Sequence, residues 1–597
     1  MKTDYWHALD KRSAQNLDVN PQQIGISHGI GDVAKGLQAN VFAGASTIEL
    51  GFMGVQKGSR STPMGVTPEL YGKSEREDMR NMAKINEITV STHATANIQG
   101  FAGLDPQKGG FKPEKREEAL HEIERAIDFA ADVAQGGPIV VHTGEFPRPI
   151  YEADKSFEQY REEEKTAPIY FVDKRTGDLK GIDRDKEIPF ALKEKGEYKR
   201  DEKGELQIKM RSYSDIEENF NKLPEEDKKK FDYHPEKYFY NEMKGEEVSR
   251  YTAEAEHFDN NARQLNKKLE KYYKVVKPFR DQYEGKGKDE EFYKDFVAAN
   301  PAFEEEEKRA IKQIGSQKFF DEQVEDLRRM KKYYEEGAVG YKKAAKSAEV
   351  EIDSIEPIRD YAVKRSAETL ARAAITAYDR ERAQKLDKPL FIAPENIFPE
   401  SYGSHPQELK TLIKESRHEM ARKLKDERGI SQSKADQIAA DHIKATFDIG
   451  HANTWKKFFK GKPEDFNKWM KEQVADLQKE KIIGHVHLSD NFGYYDEHVT
   501  PGEGTAPIKE FVEKLQKDKF KGAMIVEPGG QPEGQIFSAL KGAWRALSSP
   551  AYRLDTAGMA WTDVDQSYFG RTGSPTYVVG DYAPSKDWTL WSETPLE

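Results

Sequence analysis

The chain of 597 residues contains no cysteine. That absence excludes disulfides, thiolate nucleophiles and Cys-ligated zinc, so any metal must be held by histidine and carboxylate side chains. Histidine is itself scarce, with 14 in the whole chain. No run reaches the ~18 consecutive apolar residues of a membrane-spanning helix. The opening MKTDYWHALDKRS lacks the apolar stretch of a secretory signal. Both absences lead to the expectation of a cytoplasmic protein with no membrane partner. A surplus of basic charge is missing too. At a net charge of -12, no overall field draws the chain to nucleic acid or to an anionic surface. What the chain has in quantity is charge of both signs, 34% of residues against 36% hydrophobic.

The hydrophobic residues are placed unevenly. Short apolar runs at Gln23–Ser27, Ser46–Gly51, Glu87–Ser91 and Pro138–Val141 read as four strands. Between the third and fourth, Ala119, Ile123, Ala126, Ile127, Ala130 and Val133 recur at helical spacing within Pro113–Ala134. Four further runs follow at Pro389–Ala393, Ile443–Phe447, Ile482–Val486 and Gly522–Val526. Helical stretches at Gln407–Glu427, Gln432–His442, Pro463–Glu480 and Gly534–Ala546 separate and close them. This alternation of strands and helices predicts an α/β fold, a (β/α)8 TIM barrel.

After the fourth strand the alternation stops. Residues 147–350 are dense in Lys, Glu, Asp and Tyr. Short strands are expected over Ile169–Arg211, with turns at Thr176–Asp178 and Asp201–Gly204. Beyond them Leu265, Leu269, Tyr272 and Val276 share one helical face, and Phe320, Val324, Leu327 and Tyr334 another. The organisation expected is a first barrel half over 1–146 and a large inserted α+β, mostly helical domain over 147–350. A second barrel half over 351–550 opens on a long helix, Ile355–Arg382. A tail, 551–597, holds three of the seven Trp residues and packs on the barrel.

In such barrels the chemistry sits at the C-terminal ends of the strands. His93, His142, Glu395, Asp448, His451, His487, Asp496, His498 and Glu527 all fall at or just after the ends of strands three to eight. Counting His28 and His485, seven of the 14 histidines lie at strand ends. The densest stretch is Lys481–Gly504, KIIGHVHLSDNFGYYDEHVTPGEG. It delivers imidazole, carboxylate and imidazole from one strand end and its loop, a donor set suited to a divalent transition metal. Asp490 and Glu49 are candidates either for acceptors of the second ring N–H of ligating histidines or for ordinary loop and strand-end acids.

These residues resemble those of the xylose-isomerase-like TIM-barrel superfamily, over the barrel segments on either side of the insert. Its metal site of Glu, Asp, His and Glu on strands five to eight matches Glu395, Asp448, His487 and Glu527. Its endonuclease IV branch adds a third-strand His, matched by His93, and a His-x-Gly, matched by His142-Thr143-Gly144. The branch's Asp-x-x-His matches Asp448–His451, and its Asp-x-His before Gly-Glu-Gly matches Asp496, His498 and Gly502-Glu503-Gly504. The resemblance implies one zinc on His93, His142 and Glu395, a second on Glu395, Asp448, His487 and Glu527, and a third on His451, Asp496 and His498. Two features depart from that branch. Ala94-Thr95-Ala96-Asn97 stand where it carries bulky side chains that open a duplex, and the insert leaves from the catalytic face.

The resemblance therefore implies a metal-dependent enzyme. The first reading is a phosphoester hydrolase similar to endonuclease IV with two or three zinc ions, where dications neutralise the charge that develops on a phosphate. The alternative is a single-metal sugar or sugar-phosphate isomerase or epimerase, with Glu395 and Glu527 as acid and base beside the substrate. Manganese is the second choice of metal. The substrate expected is a phosphoester or a sugar phosphate. Nucleic acid suits the site but is not supported by the charge. The insert is expected to act as a lid over the barrel mouth, to bind a protein partner or to self-associate.

Overall fold

Eight segments, each short and apolar enough to be buried on both faces, form the strands of a closed parallel barrel. They are β1 Ile24–Ser27, β2 Thr47–Phe52, β3 Thr89–Thr95, β4 Gly137–His142, β5 Leu390–Glu395, β6 Ala445–Asp448, β7 Ile483–His487 and β8 Met524–Val526. The computed structural model describes residues 19, 21–191, 193–194, 197–198, 207–283, 294, 316–528 and 536–547. Each strand pairs with its neighbours in the sequence, and β1 closes the barrel on β8 through Ile24 beside Met524 and Ile26 beside Val526. The register then levels the strand ends. Glu395 stands beside His142, and Asp448 beside His487.

The surrounding helices bury the stripes their spacing foretells. In Pro406–Arg428, Leu409, Leu412, Ile413, Met420 and Leu424 are enclosed. Gly429 ends this helix at φ +65°, the left-handed conformation that glycine adopts without steric cost. The helix expected from Ile355 instead begins at Ile358. Ile355–Pro357 is extended and pairs antiparallel with Phe171–Asp173. Pro357 disfavours helical backbone at Glu356 before it, which sets the boundary.

Chain contacts divide the molecule into two units. The barrel unit comprises residues 1–170, 176–179 and 358–597. It therefore includes 147–170, which the sequence reading assigns to the insert. Three devices tie this segment down. Arg148 makes a buried two-pronged pair with Glu408, at 2.5 and 2.8 Å. Phe157 is fully enclosed, with Trp455, Phe459 and Trp469 about its ring. The buried Glu163 carboxylate accepts from the N–H groups of Ile150, Tyr151 and Gln159. Their apolar anchors are too sparse to give a periodic signal.

The second unit comprises 171–175 and 180–357. Two helices, Pro235–Tyr283 and Ser316–Ser354, run antiparallel in it. Tyr240 meets Glu351, the ring of Tyr251 lies near that of Tyr341 and that of Phe258 near Tyr334, so partners descend along one helix as they ascend the other. Leu269, Tyr272 and Val324 of the expected faces are buried. Short antiparallel strands, Ile188–Ala191 and Ile208–Arg211, belong to the same unit. The turn Asp201–Gly204, the side chains of Val276 and Phe320, and the tail 551–597 lie outside the description. Among the described residues no helix is long and apolar enough to cross a membrane.

Candidate metal centre

The nine His and carboxylate residues named from the sequence converge at the C-terminal end of the barrel in three groups. His93, His142 and Glu395 form the first, Glu395, Asp448, His487 and Glu527 the second, and His451, Asp496 and His498 the third. Within each, one potential donor atom per residue lies within 4.8 Å of the others. A further group, Glu49, His485 and His487, lies among buried residues and shares His487 with the second.

Glu395 joins the first two groups because its oxygens face different partners. Oε2 lies 3.5 Å from His93 Nε2 and 3.7 Å from His142 Nε2. Oε1 lies 2.9 Å from His487 Nδ1 and 3.4 Å from His451 Nδ1. Glu527 Oε1 is 3.4 Å from the same His487 nitrogen. In the third group Asp496 Oδ2 lies 3.1 Å from His451 Nε2 and 2.9 Å from His498 Nε2. His498 takes the left-handed conformation, φ +49°, which costs a non-glycine residue ~1 kcal/mol or more and turns the ring back toward Asp496.

Local structure fixes these side chains. Asp448 ends β6 and caps the short helix Ile449–Asn453, its Oδ1 accepting from the N–H of His451 at 2.6 Å. One aspartate thus aims both itself and the histidine three residues on. Ser489 donates to Asp448, within 2.7 Å of either oxygen, and Asn396 pairs with the Asp448 backbone in both directions. Gly450 lies against Ser489, and a Cβ there would overlap the serine hydroxyl. Ser489 and Asn396 were not foreseen as part of the site. Ser489 lies two residues past His487, just beyond the end of β7.

The two acids expected behind the histidines separate. Glu49 Oε1 lies 3.0 Å from His487 Nε2, on the far side of the ring from Glu395. Asp490 contacts no ligand histidine. It accepts from the N–H groups of Asn491, Gly502, Gly504 and Ala506, and so staples the Pro-Gly-Glu-Gly turn. It lies in the loop beyond β7, where its backbone bridges Val499.

The electrostatics fit cations. Glu395 and Asp448 are wholly enclosed, and among the described residues the cations facing the carboxylates of the site are histidines. Burial pushes the Glu395 carboxyl up, but the surrounding imidazoles, His487 first, hold it well below the usual range. Burial raises Glu527 despite His487. Burial disfavours charge on His93, yet Glu395 and Glu49 lift it to about 9, whereas burial and the charge of His93 push His142 down to about 3. Glu395 Oε2 and Asp496 Oδ1 have no hydrogen-bond partner although both are enclosed. An unpaired carboxylate oxygen facing two imidazole nitrogens, as Glu395 Oε2 does, is the donor chemistry of a divalent transition metal.

Residues 432–546 match the model of the xylose isomerase-like TIM barrel. Six of the nine candidate ligands lie in that span, while His93, His142 and Glu395 precede it. An uncharacterized protein of Methanocaldococcus jannaschii is 41% identical over 91 residues, 15% of this chain and 27% of that protein, so the matched stretch spans about a quarter of the relative's length. Among solved structures, a D-tagatose 3-epimerase-like protein is 14% identical, with 88% of this chain and 98% of that one covered at a TM-score of 0.37. D-psicose 3-epimerase with D-tagatose, from Clostridium cellulolyticum H10, is 10% identical over 89% and 98%, at a TM-score of 0.33. At those scores neither likeness bears on activity. The family match thus covers residues 432–546, about a fifth of the chain, and lies within the second half of a closed eight-stranded barrel.

Proposed function

We propose that the protein is a metal-dependent enzyme that holds two or three dications, zinc before manganese, and hydrolyses a phosphoester. The observation that carries the reading is the two-sided carboxylate of Glu395, with His93 and His142 on one oxygen and His487 and His451 on the other. Such a residue can hold two ions at the ~3.5–4 Å separation of two-metal hydrolases. Bound there, the ions would supply Lewis acidity and neutralise charge developing on a phosphate. His93, His142, His451, Asp496 and His498 would complete the outer two sites, Asp448 and Glu527 the middle one. Ser489 and Asn396 would hold Asp448 in place.

The second reading is a single-metal sugar or sugar-phosphate isomerase or epimerase. Two observations favour it. Glu395, Asp448, His487 and Glu527 form a complete ligand set by themselves. Glu395 and Glu527 flank one nitrogen of His487 with their proton affinities driven apart, one down and one up, as an acid–base pair needs.

Elemental analysis of protein purified without chelator, paired with assays on an aryl phosphodiester and on a ketose phosphate, tests both. Two or three ions with phosphodiester cleavage support the first reading. One ion with ketose epimerisation moves the assignment to the second, and no ion under either assay sinks both.

A further inference from the structure

The barrel interior is usually filled with apolar branched side chains. Beneath the metal centre of this one lies a polar layer. Glu49 of β2, Ser91 of β3, and His485 and His487 of β7 are each at most 1% exposed. Glu49 Oε2 accepts from Ser91 Oγ at 3.0 Å and from His485 Nε2 at 2.9 Å. Its Oε1 stands 3.0 Å from His487 Nε2. β2 and β7 are not neighbours, since β1 and β8 lie between them. Glu49 therefore reaches across the barrel interior to the back of a ring whose front nitrogen faces Glu395 and Glu527.

Enclosing a carboxylate with only imidazoles and a hydroxyl for company costs several kcal/mol, and an apolar layer would pack the barrel without that cost. Two uses could justify it. One is an ion held by the trio Glu49, His485 and His487, and the other is support by Glu49 for the ion in front of His487. The hydrogen bonds made by Oε2 favour the second. Glu49 Oε2 is already taken by the Ser91 hydroxyl and by His485 Nε2, which leaves Oε1 alone to face the back of His487 at 3.0 Å. Four ligand carboxylates also fall short of the charge on three dications, and Glu49 adds a fifth.

We infer that Glu49 is a positioning residue that reads through His487. Its charge, 3.0 Å behind Nε2, favours the tautomer protonated there, leaves the Nδ1 lone pair free for the middle ion, and raises its basicity. His485 and Ser91 hold the Glu49 carboxylate in register and do not ligate metal. The inference rests on the metal-dependent reading. It specifies that one of the ions depends on Glu49 and the others do not.

The test compares the full-length wild type with Glu49→Gln, His485→Gln and Ser91→Ala. Zinc content is read by elemental analysis, and stepwise zinc affinity by competition with a chromophoric chelator. The cobalt(II) absorption spectrum reports the coordination of each ion. Expected for Glu49→Gln is a ~10–100-fold loss of affinity for one ion, with a changed cobalt band, and unchanged affinity for the rest. His485→Gln should keep the full ion count. If Glu49→Gln does not fold, Ser91→Ala carries the test, with a smaller loss confined to the same ion. Equal weakening of all ions would reduce Glu49 to a packing residue, and wild-type affinity in both variants would overturn the proposal. Loss of an ion in His485→Gln would assign the trio to a metal of its own. A wild type that binds no zinc would instead refute the metal-dependent reading beneath it.

Discussion

The Oε1 oxygen of Glu395 lies 2.9 Å from Nδ1 of His487, while the other oxygen of the same carboxylate faces His93 and His142. One side chain at the end of β5 thus ties together residues delivered by β3, β4 and β7. Replacing it by glutamine keeps the shape and removes the charge. Glu395→Gln is expected to lose two ions by elemental analysis and to lower turnover by at least ~100-fold, since two sites share the group.

His451 meets Asp496 at 3.1 Å and approaches Glu395 at 3.4 Å. His451→Ala should empty the third group and leave the other ions bound. If both ion content and turnover stay at wild-type levels, the three-ion assignment fails and the single-metal isomerase reading gains.

Protons and metal compete for the same nitrogens. Burial opposes charge on His93 and His498, but Glu395 and Asp496 respectively lift each to about 9. A histidine whose folded value is raised adds stability that is fully present below its unfolded value near 6.5 and is lost as pH rises through about 9. The chelator-treated protein should therefore lose thermal stability between these limits, and the zinc-loaded protein should not. Zinc binding at neutral pH should release protons, seen in calorimetry as heats that differ between buffers of different ionisation enthalpy.

Glu145 gives a pH dependence of the same sign, at lower pH and away from the ligands. Burial raises its carboxyl to about 7, although Ser366 and the amides of Phe101 and Ala102 donate to it. The folded state then binds the proton more tightly than the unfolded chain, so stability falls as pH rises from about 4.5 to about 7. Glu145→Gln keeps an acceptor for the donors and removes the charge. Relative to wild type it should gain up to about 3 kcal/mol between pH 5 and pH 8 in denaturant titrations.

Phe157 anchors the segment that leaves the fourth strand. Its ring centroid lies 4.9 Å from that of Trp469 and 5.2 Å from that of Trp455, and it is fully enclosed. Phe157→Ala should cost about 3–5 kcal/mol, read as a lowered midpoint of barrel unfolding by tryptophan fluorescence.

The sequence by itself determined the eight strands and the ligand types. Apolar runs such as Ile482-Ile483 and Val486 have one favourable solution, a strand covered on both faces, and strand-end histidines stand out in a chain with only 14. It also determined that any metal would be held without sulfur. Tertiary structure alone decided the partnerships. Glu49 and Asp490 are alike as acids at or near strand ends, yet one crosses the barrel to His487 and the other folds back on the Gly502–Ala506 amides. Register across the sheet and the direction of each pleat made that choice, and neither is encoded within a single strand. The same holds for residues 147–170, whose few apolar anchors gain meaning only when Trp455 and Trp469 arrive from 300 residues on to enclose Phe157, roughly the full length of the intervening chain.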